Sequence, residues 1–264
     1  VSVPFITLLT PKNPFIKFSE NDVLYLVMET LGNGVHRIAI TDAEQNHIVG
    51  ILSQRRLIKF MWDNARRFPL LDFLLNQTLE ELDIGQLNPI TIYEDENLIE
   101  ALYKMFKERI SSLAVVDRLK QLVGNISIVD VQNVSLSKNS YLLSKSVLHF
   151  ILYNLSQKGI EKGQDQFPIF HVNKQTLLGR VIAKLVATRL HRLWIVQLPP
   201  THKPSVASSQ LHHGSVSGSP QTIEGILNSP NVANGPSGGQ EYGRQGNLIG
   251  VITLTDILGL FALT

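Results

Sequence analysis

Cysteine is absent from the 264 residues, which excludes a disulfide framework, a thiolate zinc site and thiol catalysis. It also suits a reducing compartment without establishing one; the cytoplasm, and also the nucleus, is the expected location. Charge is sparse: 17% of residues are charged and the net charge is +2, too little to argue for nucleic acid or an acidic membrane as partner. No secretory signal is expected from the first residues. The nearest approach to a long hydrophobic run is Gly246–Thr264, GNLIGVITLTDILGLFALT. Asp256 stands near its middle, where a charge costs about 2.5–3.5 kcal/mol on insertion. A buried strand followed by an amphipathic helix is therefore expected there. No nucleophile–base pair, Gly-rich phosphate loop or metal cluster is visible, so no catalysis and no metal are expected.

What is present is a core-forming composition, 44% apolar, arranged as three copies of one unit. Each copy begins with apolar residues at helical spacing: Val23, Leu26, Val27 and Leu31; Leu98, Ala101, Leu102, Met105 and Phe106; Leu178, Ile182, Leu185 and Val186. Each helix leads through a basic residue into a β-branched run: VHRIAIT (Val35–Thr41), ERISSLAVVD (Glu108–Asp117) and LHRLWIVQ (Leu190–Gln197). A second strand then starts at Gly50, Gly124 or Gly250. Ser53, Ser127 and Thr253 follow three places on, and Arg56, Asp130 and Asp256 six places on. A last helix is expected from each (RLIKFMW, DVQNV, DILGLF), and an extended lead-in (NPFIKF, NPITIY, QFPIFHV) precedes the unit. Matching Arg37 to Arg109 puts the first two copies in near register.

The third copy is longer between its two strands. Pro199–Asn247 holds eight of the eighteen glycines and six of the twelve prolines, a composition expected to be disordered. His212–His213 within it is read as idle rather than metal-binding, and Ser219–Pro220 and Ser229–Pro230 as candidate phosphorylation sites. The expected division is residues 1–77, 78–198 (one repeat and the first part of the last), 199–247 (the insert) and 248–264 (the end of the last repeat).

These features resemble the CBS repeat. GVHRIAI with SQRRLIKF, the linker TLEELDIG (Thr78–Gly85), and LHRLWIV with GVITLTDIL are similar, in the same order, to the gamma subunit of the AMP-activated kinase. The insert is more similar to the related fungal family named as suppressors of a phosphatase-one defect. The resemblance implies an α/β fold of tandem CBS repeats paired as Bateman modules. The three copies would match the second to fourth of four repeats, with a first repeat missing. The later two copies would pair through strands and helices, and the first would expose an apolar face. The implied role is regulatory, through protein partners in a kinase or phosphatase complex, with AMP, ADP or ATP as candidate ligand.

The resemblance also implies site residues. A carboxylate at the start of the last helix accepts from both ribose hydroxyls, a place held by Asp130 and Asp256, with Ser127, Thr253 and Thr255 adding contacts. Phosphates would meet Arg37, Arg109 and Arg192 with His36 and His191, and Arg55, Arg56 and Lys59 would add charge. The same residues have plainer readings: Asp, Ser and Thr before a helix are common caps, and His–Arg pairs can be solvated strand ends. Arg56 cannot accept from a diol, so the first repeat is expected to lack a ribose site. Glu108, read beside Arg109, would repel phosphate.

Overall fold

The computed structural model describes residues 15–44, 47–130, 134, 137–162, 169–197 and 246–263. The first repeat runs β1 (Lys17–Ser19), α1 (Leu24–Gly32), β2 (Arg37–Thr41), β3 (Ile48–Ser53) and α2 (Gln54–Asp63), followed by α3 (Pro69–Leu75). Next come β4 (Gln86–Leu87), β5 (Thr91–Tyr93), α4 (Leu98–Lys107), β6 (Ser112–Val116), β7 (Leu122–Ser127) and α5 (Val147–Lys162). The third repeat is β8 (His171–Val172), α6 (Leu178–Thr188), β9 (Arg192–Gln197), β10 (Asn247–Thr253) and α7 (Leu254–Leu263). In each, the lead-in strand pairs parallel to the middle strand and the last strand pairs antiparallel to it. The chain is therefore α/β with three like sheets, and β4 extends the third.

The expected helices form because their apolar spacing gives each a buried stripe, although Val23 and Leu26 on the first helix face and Phe106 on the second, expected in those stripes, are exposed. Ala101 and Met105 on α4, and Val181, Ile182 and Leu185 on α6, are almost wholly buried. Gly246–Thr264 becomes the strand β10 and the helix α7, and no described helix is long and apolar enough to cross a membrane. Residues 198–245 lie outside the described residues, so the structure does not address the insert, His212–His213 or the Ser-Pro sites. Gln197 and Asn247 on either side of it are nonetheless ladder partners. The α-helix expected from Asp130 is not seen among the described residues; Ile128 and Val129 form a turn, and the next described helix is a 3-10 segment, Ser137–Ser144.

The pairing of repeats departs from expectation. The second and third repeats meet through their sheets: Ala114 and Leu122 are buried against Trp194, Val196 and Val251, and Leu122 N–H donates to the Gly246 carbonyl at 3.0 Å. Among the described residues, no helix contributes to that buried cluster. One core instead unites Leu31, Ile38, Leu57 and Ile58 of the first repeat with Leu178, Ile182, Ile257 and Leu258 of the third. The third repeat thus turns its sheet to the second and its helices to the first. The second repeat closes its own core around Phe150 of α5.

The first repeat's last strand is left open. Ile48 is 60% exposed, whereas Leu122, at the same ladder position, is 0% exposed. Val49 and Ile51 are also exposed, so the first repeat does present the apolar face expected of it.

The join between α1 and α7 depends on Gly32. A Cβ on Gly32 would lie 2.9 Å from the Gly259 nitrogen, which is backbone and cannot swing aside. Tyr25 Oη adds a bond to the Ala262 carbonyl at 3.0 Å. Gly32→Ala should therefore lower stability by about 1–3 kcal/mol through overpacking, despite the usual helix gain of about 1 kcal/mol for Ala over Gly. A thermal midpoint several degrees lower in calorimetry is expected; an unchanged or raised midpoint would show that the helices can separate freely.

Candidate functional site

Each helix following a last strand starts on a hydroxyl residue that ends the strand. Ser53 Oγ accepts from Arg56 N–H at 3.3 Å. Thr253 Oγ1 accepts from Asp256 N–H at 3.3 Å, while Asp256 Oδ2 accepts from the Thr253 N–H and hydroxyl, each at 2.8 Å. This is a reciprocal capping box. Ser127 and Asp130 make the same contact, at 3.0 Å from N–H and 2.8 Å from the hydroxyl. Asp256 therefore caps α7 and places one oxygen, Oδ2, on that helix start, while Asp130 Oδ2 is held by Ser127 in the turn that ends β7.

Asp256 also lines a cleft of about 400 Å³ with Thr255, Gly32, Gly259, Leu260 and the linker residues Leu82–Gly85. The linker is held there by local chemistry. Thr78 and Glu81 form a second capping box: Glu81 Oε2 accepts from the Thr78 N–H at 2.8 Å and its hydroxyl at 2.9 Å. Gly85 takes φ +103°, beyond ordinary side-chain backbones. The Leu79 and Glu80 N–H groups bond to the Thr176 and Lys174 carbonyls, fastening the linker to the third repeat. Leu82, Ile84, Leu260 and three glycines form the cleft wall together with Asp83, Thr255 and Asp256.

On the other side of Thr255 the chemistry reverses. His36 and His191 immediately precede β2 and β9, and Arg37 and Arg192 begin those strands. Burial, followed by Arg55, His36, Arg192 and Arg37 around it, holds the His191 imidazole below the usual histidine range. Burial also lowers Arg192 from the ordinary arginine value, and its Nη2 donates to Ser111 Oγ at 2.7 Å. His36, Arg37, Arg55, His191 and Arg192 thus form one basic group at the junction of the first and third repeats. Lys59 stands apart from it: the chain ties it to Asp63 at 2.6 Å on the exposed side of α2. Arg56 turns back to the Ile51 carbonyl at 3.2 Å.

Arg109 requires a correction. It does not begin a strand. It has φ +53°, matching Arg189 at +57° and Gly34 at +95°. Each lies three residues before its strand, and the ladder pairs Arg37 with Ser53, Ser112 with Ser127 and Arg192 with Thr253. Ser112 is therefore the counterpart of Arg37 and Arg192, and Ser111 that of the two histidines. Aligning arginine on arginine shifts the second repeat by three residues. Glu108 consequently caps the end of α4 and does not flank the phosphate position.

The residue that sequence reasoning passed over is Gln54. It is 4% exposed. Its Nε2 donates to the Leu31 carbonyl at 2.8 Å and to Thr255 Oγ1 at 2.9 Å, and its Oε1 lies 3.1 Å from His36 Nδ1. It thus joins the basic group to the wall of the cleft. A glutamine opening an otherwise basic stretch, SQRRLIKF, was the only visible signal, and it reads as a solvated helix residue.

The depressed His191 gives a signed expectation. The unfolded chain binds a proton at this ring more readily than the folded chain, so stability rises with pH through the ordinary histidine range near 6.5 and is lost below it. Denaturant unfolding of the ligand-free protein at about pH 5.5 and pH 7.5 should show this loss. His191→Asn should shrink the difference; an undiminished difference would place its origin elsewhere.

Comparison with known proteins agrees with this geometry. The CBS domain family model matches residues 8–63 and 83–137. Protein SDS23 of Scheffersomyces stipitis is 66% identical over 99% of this chain, and Protein SDS23 of Candida albicans is 57% identical over 99%. The chain spans about half the length of these relatives, 49% and 48%. Among solved structures, a Methanocaldococcus jannaschii protein described as a candidate archaeal homolog of g-AMPK superposes with a TM-score of 0.57. It covers 95% of this chain and 68% of its own, at 14% identity, a likeness of fold. The third repeat lies outside the matched residues, yet it has the same strand–helix–strand–strand–helix order. The chain thus carries CBS domains, over residues 8–63 and 83–137, and among its relatives in sequence are the fungal SDS23 proteins.

Proposed function

We propose that the chain is the ligand-sensing part of a non-catalytic regulatory protein that binds an adenine nucleotide across the junction of the first and third repeats. The observation that carries this is the separation of charge about Gln54–Thr255. On one side lies an apolar cleft with two carboxylates; on the other, a basic group of two histidines and three arginines. The cleft volume is within the range of small-molecule sites. Its carboxylates suit the hydroxyl donors of a ribose, and the arginines and histidines suit phosphate. AMP, ADP and ATP differ in how far they extend into the basic side. Response to ligand would pass to protein partners in a kinase or phosphatase complex, in the cytoplasm or nucleus, a role supported by the family resemblance.

A second reading is favoured by the caps. Asp256 places Oδ2 on its own helix start and Asp130 places Oδ2 on Ser127, as structural residues do, and the repeats would then serve as a scaffold with unused clefts. Thermal-shift titration with AMP, ADP and ATP separates the two: a rise in midpoint is expected for at least one nucleotide, and none for a scaffold. Asp256→Ala should weaken binding at least tenfold, because a charge-assisted bond contributes about 1.5–3 kcal/mol. Loss of the cap should lower stability by only about 1 kcal/mol. Arg192→Ala should weaken binding most at low salt. Undiminished affinity in a folded Asp256→Ala protein would remove the cleft from the site.

A further inference from the structure

Gln54 meets three partners, and their chemistry leaves one arrangement. The Leu31 carbonyl can only accept, so the Gln54 amide nitrogen faces it, at 2.8 Å, and its second hydrogen reaches Thr255 Oγ1 at 2.9 Å. The amide oxygen must then face His36 Nδ1, at 3.1 Å. An amide oxygen accepts only, so Nδ1 carries the hydrogen. A neutral ring held in this way presents a bare lone pair at Nε2, and Nε2 donates only when the ring is the imidazolium. Among the described residues Nε2 has no hydrogen-bond partner. Around the ring stand Arg37 of its own strand, Arg55 of α2, His191 and Arg192 of the third repeat, and Thr255 beside Asp256 on α7.

We propose that Gln54 is a positioning residue that makes anion binding at this junction require a proton on His36, because it fixes the ring as its Nδ1–H tautomer. The proposal rests on the reading that the basic group holds an anion. An anion placed against the lone pair of Nε2 is repelled, and the same anion accepts a charge-assisted bond once that nitrogen is protonated. A ring free of Gln54 would instead turn its single hydrogen to Nε2 and donate while neutral. Because Gln54 also holds Thr255, the state of the anion side is coupled to the wall of the cleft.

The test uses sulfate, which keeps both charges across the histidine range, and the full chain carrying His191→Asn so that His36 is the one imidazole left in the basic group. The His36 ring nitrogens are followed by NMR during sulfate titrations at about pH 5.5 and pH 8. Affinity should be about tenfold or more weaker at the higher pH, since one linked proton gives up to tenfold per pH unit. With Gln54→Leu added, the difference should narrow clearly, because the neutral ring can then donate from Nε2. Without sulfate at the higher pH, the ring with Gln54 present should show the Nδ1–H signature. Equal affinity at the two pH values, or an Nε2–H tautomer in the protein with Gln54, overturns the role given to Gln54 alone. No sulfate binding at either pH overturns the anion reading, and the proposal with it. Should Gln54→Leu fail to fold, the tautomer measured with Gln54 in place decides.

Discussion

Two helices from opposite ends of the described chain cross where neither has a side chain. At Gly32 the backbone of α1 comes so close to Gly259 of α7 that a single methyl group would not fit. Much else depends on that approach. It brings Leu31 onto the third repeat's core beside Leu258, and it presents the Leu31 carbonyl to Gln54. It also sets the depth of the cleft, whose wall includes both glycines. A wider crossing would draw Thr255 away from Gln54 and separate the acidic side of the junction from the basic side. Packing and chemistry here are one constraint: close-packed interiors do not absorb even a methylene without a shift elsewhere.

The repeat was legible because its signals are local. Apolar residues at helical spacing, β-branched runs and hydroxyls before helices mark each element without reference to the others. The linker TLEELDIG was recognised as a string, and its reason is now physical: a capping box from Thr78 to Glu81 and a left-handed turn at Gly85. What escaped was relational. Arg109 was matched to Arg37 by residue type, whereas ladder register and a left-handed backbone place it beside Gly34 and Arg189. The contact of α1 with α7 joins residues more than 200 positions apart (237 for Tyr25 and Ala262), and no sequence period reports it. Gln54 was invisible for the same reason, since two of its three partners lie 23 and 201 positions away.

The three repeats share an architecture but differ in what they offer a ligand. The first gives basic residues and no aspartate at the helix start; the third gives both. The second has serines, Ser111 and Ser112, where the others have His–Arg. Ser112 Oγ is buried without a hydrogen-bond partner among the described residues, and Ser111 takes a bond from Arg192. Substitution within a constant backbone has thus made the strand starts unequal, and it concentrates positive charge where the first repeat meets the third. Arg192, half-buried at the junction, makes the stronger anion contact there, because fewer waters screen it.

The third repeat's position between the other two has a consequence for how the chain is made. Its last strand and helix, residues 247–263, complete the sheet that faces the second repeat and the helix layer that covers the first. On a ribosome, the first repeat emerges with Val27 and Leu31 prepared for a partner that has not yet been synthesised. Such long-range closure is slow and exposes apolar surface while it waits. The first repeat must remain partly open until translation has passed through the third, so a molecular chaperone has its longest opportunity to act on the first of the three repeats.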